Sequence, residues 1–349
     1  MRCLQLRTDL PAIRSGERAD YKRCKKKWFW AWRMGLVLRA ARFGPLELGT
    51  WVHAALADWY RNTALGRRRS SLSELLWSHA QRDIDAAIQA GAPEHVINEA
   101  LEIQRLGMLM TSAYQQHYAS DAKLAVVAVE IPLEFTISNG QGKVIAVHKF
   151  KPDLVFMQQD GVWLMEHKTA SSIRTEHLVL DDQARPYGAM AERALRNLGL
   201  IESAQGFKGI LYNFLRKAVP DTRPTNADGK YLNQNGSVSK SQPPPLFVRK
   251  PITLTAKQKV ITLRRVQAET IEITGVARRL RSNPQHAEWL QKTPHRSCPK
   301  TCDFFAMCVA EEEGTDITSM QEMMFFRRNP YLYEEEHATT DEHIGFEMG

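Results

Sequence analysis

No apolar stretch in this 349-residue sequence approaches the roughly 18 residues of a membrane-spanning helix, so no membrane partner is expected. The N-terminus also lacks the apolar core of a secretory signal, which argues against a disulfide framework for its five cysteines. Internal repeats are missing as well. Acidic side chains are the minority charge, 39 against 47 basic, which gives a net +8 and a pI near 9.2. That balance favours a polyanionic partner. The excess is uneven: basic residues crowd the first third, including Arg67-Arg68-Arg69, and acidic runs at Glu311 to Glu313 and Glu334 to Glu336 gather at the end. With 43% hydrophobic and 25% charged residues, the chain has enough apolar material for one substantial core or a core with a small appendage.

What the sequence does contain is most informative between Lys149 and Lys168. Two runs rich in β-branched and aromatic residues, Lys149 to Met157 and Val162 to Lys168, flank Asp160-Gly161, a hairpin turn signal. Pairing Gln159 with Val162 sets Asp153 opposite Lys168 and Val155 opposite Glu166. Asp153, Glu166 and Lys168 then share a face and His167 points the other way. Carboxylates at diagonal cross-strand positions lie roughly 7 Å apart at the backbone, close enough for both to reach one hard cation. A divalent metal there would lower the pKa of a bound water and offset charge on a scissile phosphate, with the Lys168 ammonium beside it. An exposed surface ion pair is the competing reading of the same three residues.

The cysteines give a second signal. Cys298, Cys302 and Cys308 form Cys-x3-Cys-x5-Cys near one end, and Cys24 lies near the other within Tyr21-Lys-Arg-Cys-Lys-Lys-Lys-Trp-Phe-Trp. Four thiolates suit a [4Fe-4S] cluster or a structural Zn2+, and residue chemistry leaves both open. Cys3 is read as an unligated thiol. Linking Cys24 to Cys298 closes a loop of about 270 residues, which chain-entropy reasoning values at roughly 5 kcal/mol. Lys22, Arg23, Lys25, Lys26 and Lys27 interleave with Trp28, Phe29, Trp30 and Trp32. We read the tryptophans as core and the lysines as DNA-facing, since basic residues beside aromatics suit single strands.

Periodicity predicts mostly helices over residues 10 to 117, strands over 124 to 168, a helix over 178 to 198, a strand over Gly206 to Lys217, and a helix from Leu254 to Arg281. The stretch Val219 to Pro251, rich in Pro, Asn, Gly and Ser, reads as an insertion loop ordered on binding. After about Met320 periodicity fades and a mobile tail is expected.

The spacing Asp153…Glu166-His167-Lys168 resembles the core of the PD-(D/E)XK nucleases, and two further fragments resemble their RecB-like branch. Gly49-Thr50-Trp51-Val52-His53-Ala54-Ala55-Leu56 is similar to that branch's helical histidine motif, which implies His53 as a metal ligand. Gln183-Ala184-Arg185-Pro186-Tyr187 is similar to its Gln-x-x-x-Tyr motif, which implies DNA contacts by Gln183 and Tyr187. Gln183 and Tyr187 would share a helix face. Pro186 requires that helix to begin near Asp181 or Asp182, or to kink. Glu130 reads either as an extra metal or water contact or as a plain strand-surface glutamate. One cysteine before the core and three after it resemble the iron-sulfur nucleases of this branch, AddB-type subunits and CRISPR-adaptation nucleases among them. The usual tail there is Cys-x2-Cys-x5-Cys, one residue shorter than here. Gly209-Ile-Leu-Tyr-Asn-Phe-Leu-Arg-Lys resembles phage and prophage nucleases more loosely.

The resemblance implies an α/β fold with a PD-(D/E)XK restriction-endonuclease-like core, a mixed sheet flanked by helices. A helical N-terminal region (1–120) would carry Cys24 and His53, ahead of the nuclease core (121–217) and the insertion loop (218–251). A helix with the cysteine segment (252–310) and a mobile tail (311–349) would follow. The function it implies is a Mg2+- or Mn2+-dependent deoxyribonuclease, more exonuclease than endonuclease, in phage-type recombination, replication or repair. Asp153 and Glu166 would hold the metal with His53, and Lys168 would assist the water. The partners are DNA with a free end and a recombination or helicase protein, in the cytoplasm of a bacterial or phage-infected cell. The alternatives are a site-specific endonuclease of the same superfamily and a non-catalytic DNA-binding subunit. A lysine-bearing N-terminal roof across the sheet would favour threading of a free strand.

Overall fold

The computed structural model describes residues 10–39, 43–67, 70–158, 161–202 and 204–332. Cys3, Arg68, Arg69, Gln159, Asp160 and Glu334 to Glu336 lie outside the described residues. In chain order the elements are β1 (Ala12–Arg14), α1 (Ser15–Arg23), α2 (Lys25–Trp28), β2 (Leu36–Leu38), α3 (Pro45–Ala64), α4 (Leu72–Gln89) and α5 (Glu94–His117). Five strands follow: β3 (Ala125–Val129), β4 (Leu133–Ser138), β5 (Val144–Phe150), β6 (Leu154–Gln158) and β7 (Gly161–Ala170). The chain continues through α6 (Ala184–Asn197), β8 (Phe207–Arg216), β9 (Phe247–Ile252), α7 (Ala256–Ser282), α8 (Cys298–Thr301), α9 (Phe305–Glu312), α10 (Thr318–Met324) and β10 (Phe325–Arg327). The fold is mixed α/β, as expected, and divides into two compact units. One comprises residues 40–135 and 150–268; the other comprises 1–39, 136–149 and 269–349.

The first unit is built on a five-stranded mixed sheet ordered β3-β6-β7-β8-β9. Only β7 and β8 run parallel, Glu166 beside Tyr212 and Lys168 beside Phe214, and a parallel pair needs a crossover connection. Helix α6 lies within it. Along α3 the apolar residues Leu48, Trp51, Val52, Ala55, Leu56 and Trp59 recur at three- and four-residue spacing, and all are buried. They pack with α4 and α5 against Leu154, Phe156, Met165 and Leu215. Ser71 starts α4 with a capping box, its hydroxyl accepting from the Glu74 amide while the Glu74 carboxylate accepts from the Ser71 amide.

The β6–β7 hairpin has a different register from the expected one. Gln158 pairs with Gly161 and Leu154 with Met165, two residues short of the predicted offset. A two-residue slip preserves which side chains share a face, so Glu166 and Lys168 still point together while Asp153, just before β6, falls level with Glu166. Gly161 is consequently a strand residue rather than part of the turn. Its φ of 136° and the 2.3 Å between an added Cβ and the Gly206 carbonyl explain the glycine there.

The stretch expected to be an insertion loop is ordered over part of its length. Phe247–Ile252 forms β9, antiparallel to β8, and before it Thr225 bridges Tyr231 and Leu232 bridges Val238. Arg223 ties this coil together, pairing with Asp221 at 2.6 Å and donating to Ser239 Oγ at 2.9 Å.

In the second unit the N-terminal and C-terminal parts of the chain share two cores. Ile13, Tyr21 and Trp28 pack with Ile273, Val276 and Leu280 of α7, while Trp30 and Leu36 pack with Phe304, Met307 and Phe325. Strand β10 pairs antiparallel with β2, so the segment expected to be a mobile tail carries a helix and a strand as far as Arg327. Trp28 and Trp30 are buried, in keeping with a core role. Lys26 departs from its expected place on a DNA-facing surface: it is 2% exposed, donates to the Ala287 carbonyl at 2.9 Å and pairs with Glu311 at 2.5 Å. Consecutive helical residues point about 100° apart, so Lys25, Lys26 and Lys27 cannot all face one way. Lys25 pairs with Glu272 at 3.3 Å and Lys27 with Asp20 at 2.6 Å.

Gly209 gives a test of the sheet. Its φ is 158°, and a Cβ there would stand 2.3 Å from the Ile252 carbonyl of the neighbouring strand's end. Gly209→Ala should lower stability by about 1–3 kcal/mol in urea unfolding. An unchanged midpoint would contradict the β8–β9 register.

Candidate active site

Glu166 lies on β7, the middle strand of the five-stranded sheet, and is only 4% exposed. Its Oε1 accepts from Lys168 Nζ at 3.0 Å and from Gln183 Nε2 at 2.5 Å. Lys168 in turn donates to Gln183 Oε1 at 2.8 Å. Both ends of one amide thus bridge the acid and the base of the Glu-x-Lys pair, and the lysine needs the oxygen end, which fixes the amide's orientation.

Gln183 is held by its own supports. It sits just before α6, which starts at Ala184, two to three residues later than expected, so Pro186 falls in the first turn without kinking the helix. Asp181 Oδ1 accepts from the Gln183 and Ala184 amides at 2.9 and 2.7 Å, capping that helix start. The same oxygen accepts from Tyr212 Oη on β8 at 2.7 Å. Tyr187 is buried, its ring 4.9 Å from that of Phe150 and its hydroxyl 3.5 Å from Gln183 Nε2. Gln183 and Tyr187 do share a helix face, but that face turns toward Glu166 and the sheet.

Asp153 approaches from the end of the hairpin. Its Oδ2 accepts from the His167 backbone amide at 2.6 Å, and its Oδ1 lies 3.4 Å from His53 Nδ1 on α3. The Asp153 carbonyl also accepts from the Glu130 amide at 3.0 Å, and Glu130 has a φ of 47°, a strained value for a non-glycine. The Glu130 carboxylate goes to Arg61 and Lys151, each at 3.3 Å. Behind Asp153, His167 is buried and stacks on Tyr60, while the His53 ring meets its ring edge-on at 5.9 Å.

A network with no local signature in the sequence holds His167. Asn213 Nδ2 donates to His167 Nδ1 and to Tyr114 Oη, both at 2.8 Å, and Asn213 Oδ1 accepts from Arg249 Nε at 3.2 Å. Arg249 forms a two-pronged pair with Asp121, whose Oδ2 also accepts from Tyr60 at 2.7 Å. These residues come from α3, α5, β8, β9 and the turn after α5, so no local spacing announces them.

The electrostatics separate the two carboxyl groups. Burial pushes Glu166 up, and the nearby Asp153 charge pushes it further, to about 7, against the pull of Lys168. Burial also opposes ionisation of Asp153, but His53, with His167 and Lys168, outweighs it and holds that carboxyl below its ordinary range. His53 is raised because the attraction of Asp153 exceeds the cost of burial. Lys168 is raised in the same way, by Glu166 and Asp153. His167, buried beside Asn213, is lowered to about 3 and stays neutral.

One buried atom bears on a metal. Glu166 Oε2 has no hydrogen-bond partner among the described residues, although it is out of water. No group of three or more His, Cys, Asp or Glu among the described residues is arranged to hold a metal ion. Mg2+ needs fewer, because it is held by one or two carboxylates with waters and substrate phosphate completing the octahedron. Asp153 and the free oxygen of Glu166 fit that requirement, with His53 behind Asp153. When bound, such an ion activates water and neutralises phosphate charge. The protein's own part is to keep Glu166 and Lys168 aligned through Gln183 and to exclude water from Glu166.

The four cysteines are gathered within the second unit. Cys302 and Cys308 are both raised by burial, and both feel Cys24; Cys298 adds to the effect at Cys302. The backbone amides of Lys27 and His295 donate to Cys24 Sγ and Cys298 Sγ at 3.5 and 3.2 Å. The donor type suits an iron-sulfur cluster or zinc, but the thiols do not form a ligand set as they stand.

The sequence pattern of the PD-(D/E)XK nuclease superfamily matches residues 17–309, most of the chain, which therefore belongs to that superfamily. Its members generally use divalent metals such as Mg2+. Among solved structures the chain is similar to a "putative exonuclease" from Eubacterium rectale, with 12% identity over 83% of this chain and 93% of that one and a TM-score of 0.39. No curated protein matches it.

The raised Glu166 carboxyl gives a stability signature independent of cleavage. With its folded pKa near 7 against an ordinary 4.5, the group favours the folded state below pH 4.5, and that contribution is lost as pH rises through 7. Metal-free protein should therefore lose thermal stability between pH 5 and 8. Glu166→Gln should flatten this slope. Equal slopes for the two proteins would contradict a raised Glu166.

Proposed function

We propose that this chain is a divalent-metal-dependent deoxyribonuclease, an exonuclease of the RecB-like branch acting in phage-type recombination, replication or repair. The observation that carries the nuclease reading is the Gln183 amide bridging Glu166 and Lys168 beside the Asp153–His53 pair. Asp153 and Glu166 would hold Mg2+ or Mn2+, with His53 supporting Asp153. Lys168 would orient the attacking water or neutralise the charged phosphorane. Gln183 would act as a positioning residue, with Tyr187 packed beneath it, rather than as a direct reader of DNA. The net +8 charge supports a polyanionic substrate. The exonuclease assignment rests on the motif resemblance, as do the branch, a recombination or helicase partner and a cytoplasmic setting.

A [4Fe-4S] cluster held by Cys24, Cys298, Cys302 and Cys308 belongs to the same reading. It rests on the order of the cysteines and on the influence of Cys24 on both Cys302 and Cys308. Its role would be a staple between distant parts of the chain. Protein purified without oxygen should then carry about four irons per chain and absorb broadly near ~400 nm, and Cys24→Ser should bleach it. One zinc and no iron would favour the tetrahedral alternative.

Cleavage tests the active site. End-labelled linear DNA should be degraded from its ends with Mg2+ or Mn2+, at a rate that falls steeply with salt. Asp153→Ala, Glu166→Ala and Lys168→Ala should each abolish the reaction while DNA binding persists. Near-normal cleavage by Glu166→Ala would overturn the site. Equal cutting of closed circular and linear DNA would replace the exonuclease reading with an endonuclease one.

A further inference from the structure

In the second unit, the end of α7 and the segment after it enclose a half-open cavity of about 220 Å³. It is lined by the buried apolar side chains of Val276 and Leu280 and by Lys25, Arg279, His286 and Trp289. Trp289 is 71% exposed, an unusual state for the largest apolar side chain. The His286 ring meets it edge-on at 5.3 Å. None of these residues belongs to the unit that carries Asp153 and Glu166.

We propose that this cavity is a nucleotide-binding site for single-stranded DNA, with one base stacked on Trp289 over the Val276–Leu280 floor and its phosphate held by Arg279 and Lys25. The volume, below the roughly 300–1,000 Å³ of pockets for drug-sized ligands, suits a group the size of one base. The charge decides the chemistry. Two cations, Lys25 and Arg279, lie beside Glu272, which is 3.3 Å from Lys25, accepts from Tyr21 Oη at 2.8 Å and is itself more than half exposed. A phosphate can displace that exposed ion pair at little cost. An unpaired base supplies a π-face for Trp289, whereas a base within a duplex has both faces covered. The basic, aromatic segment around Lys25 therefore does have a place for a single strand, but the aromatic partner is Trp289, some 260 residues further along, and not Trp28 or Trp30.

This inference rests on the proposal that DNA is the substrate, and its test is run without catalysis. In EDTA, a single-stranded oligonucleotide carrying 5-iododeoxyuridine should crosslink to Trp289 on irradiation, with the adduct located by peptide mass spectrometry. Trp289→Ala should weaken single-strand binding about tenfold, Trp289→Phe should restore most of it, and Arg279→Ala should reduce the salt dependence. Duplex of the same sequence should bind with no dependence on Trp289. Unchanged single-strand affinity for Trp289→Ala, with crosslinks falling elsewhere, would overturn the site. Failure of the active-site reading shows separately, as cleavage that survives Glu166→Ala.

Discussion

Keeping one carboxyl group almost wholly out of water is the constraint around which the nuclease unit is arranged. Glu166 sits on the central strand with one oxygen bonded to Lys168 and Gln183 and the other without a partner among the described residues. Its ionised form is costly there, since burial and Asp153 both resist it. A cation between the two carboxylates would remove that cost, and the shortage of partners at Oε2 is what makes the position suited to one. The neighbouring residues serve the same end. Tyr212 fixes Asp181, Asp181 fixes the start of α6, and the first residue before that helix reaches back to Glu166.

The opposite side of β7 is organised by a second buried charge. Arg249 and Asp121 pair within a cage of Tyr60, Tyr114, Tyr118 and Asn213. A buried ion pair contributes little net stability, but one with every group bonded fixes geometry. Here it fixes Asn213, whose oxygen must face the arginine and whose amide nitrogen must therefore face His167 Nδ1. The imidazole is left neutral with Nδ1 as acceptor, in contact with His53 and with its backbone amide on Asp153. Residues remote from the reacting groups thereby set where Asp153 and His53 stand.

Much of this was legible in the sequence, for physical reasons that differ by residue. Strand periodicity of two puts Glu166 and Lys168 on one face, and the two-residue difference in register, which brings Asp153 level with Glu166, leaves that parity intact. The helices α3 to α5 and α7 follow their apolar spacing closely. Lys26 was misplaced because a run of like charges carries no information about helical phase, and its partners Ala287 and Glu311 are more than 250 residues away. The bridging role of Gln183 was hidden for a similar reason: a Gln-x-x-x-Tyr spacing defines a helix face but not what that face meets. Strand β9 was lost inside a region whose composition reads as loop, because edge strands need few apolar residues. The Arg249–Asp121 network has no local signature at all.

Asp153 and Glu166 are proposed together to form a site for a hard divalent cation. Titration of metal-free protein with Mn2+, followed by the loss of the free-ion electron paramagnetic resonance signal, measures this without any substrate. Saturable binding is expected at pH 8, weakening toward pH 6 as Glu166 takes up its proton, and lost in both Asp153→Asn and Glu166→Gln. Saturable Mn2+ binding that survives in either variant with unchanged affinity would contradict it.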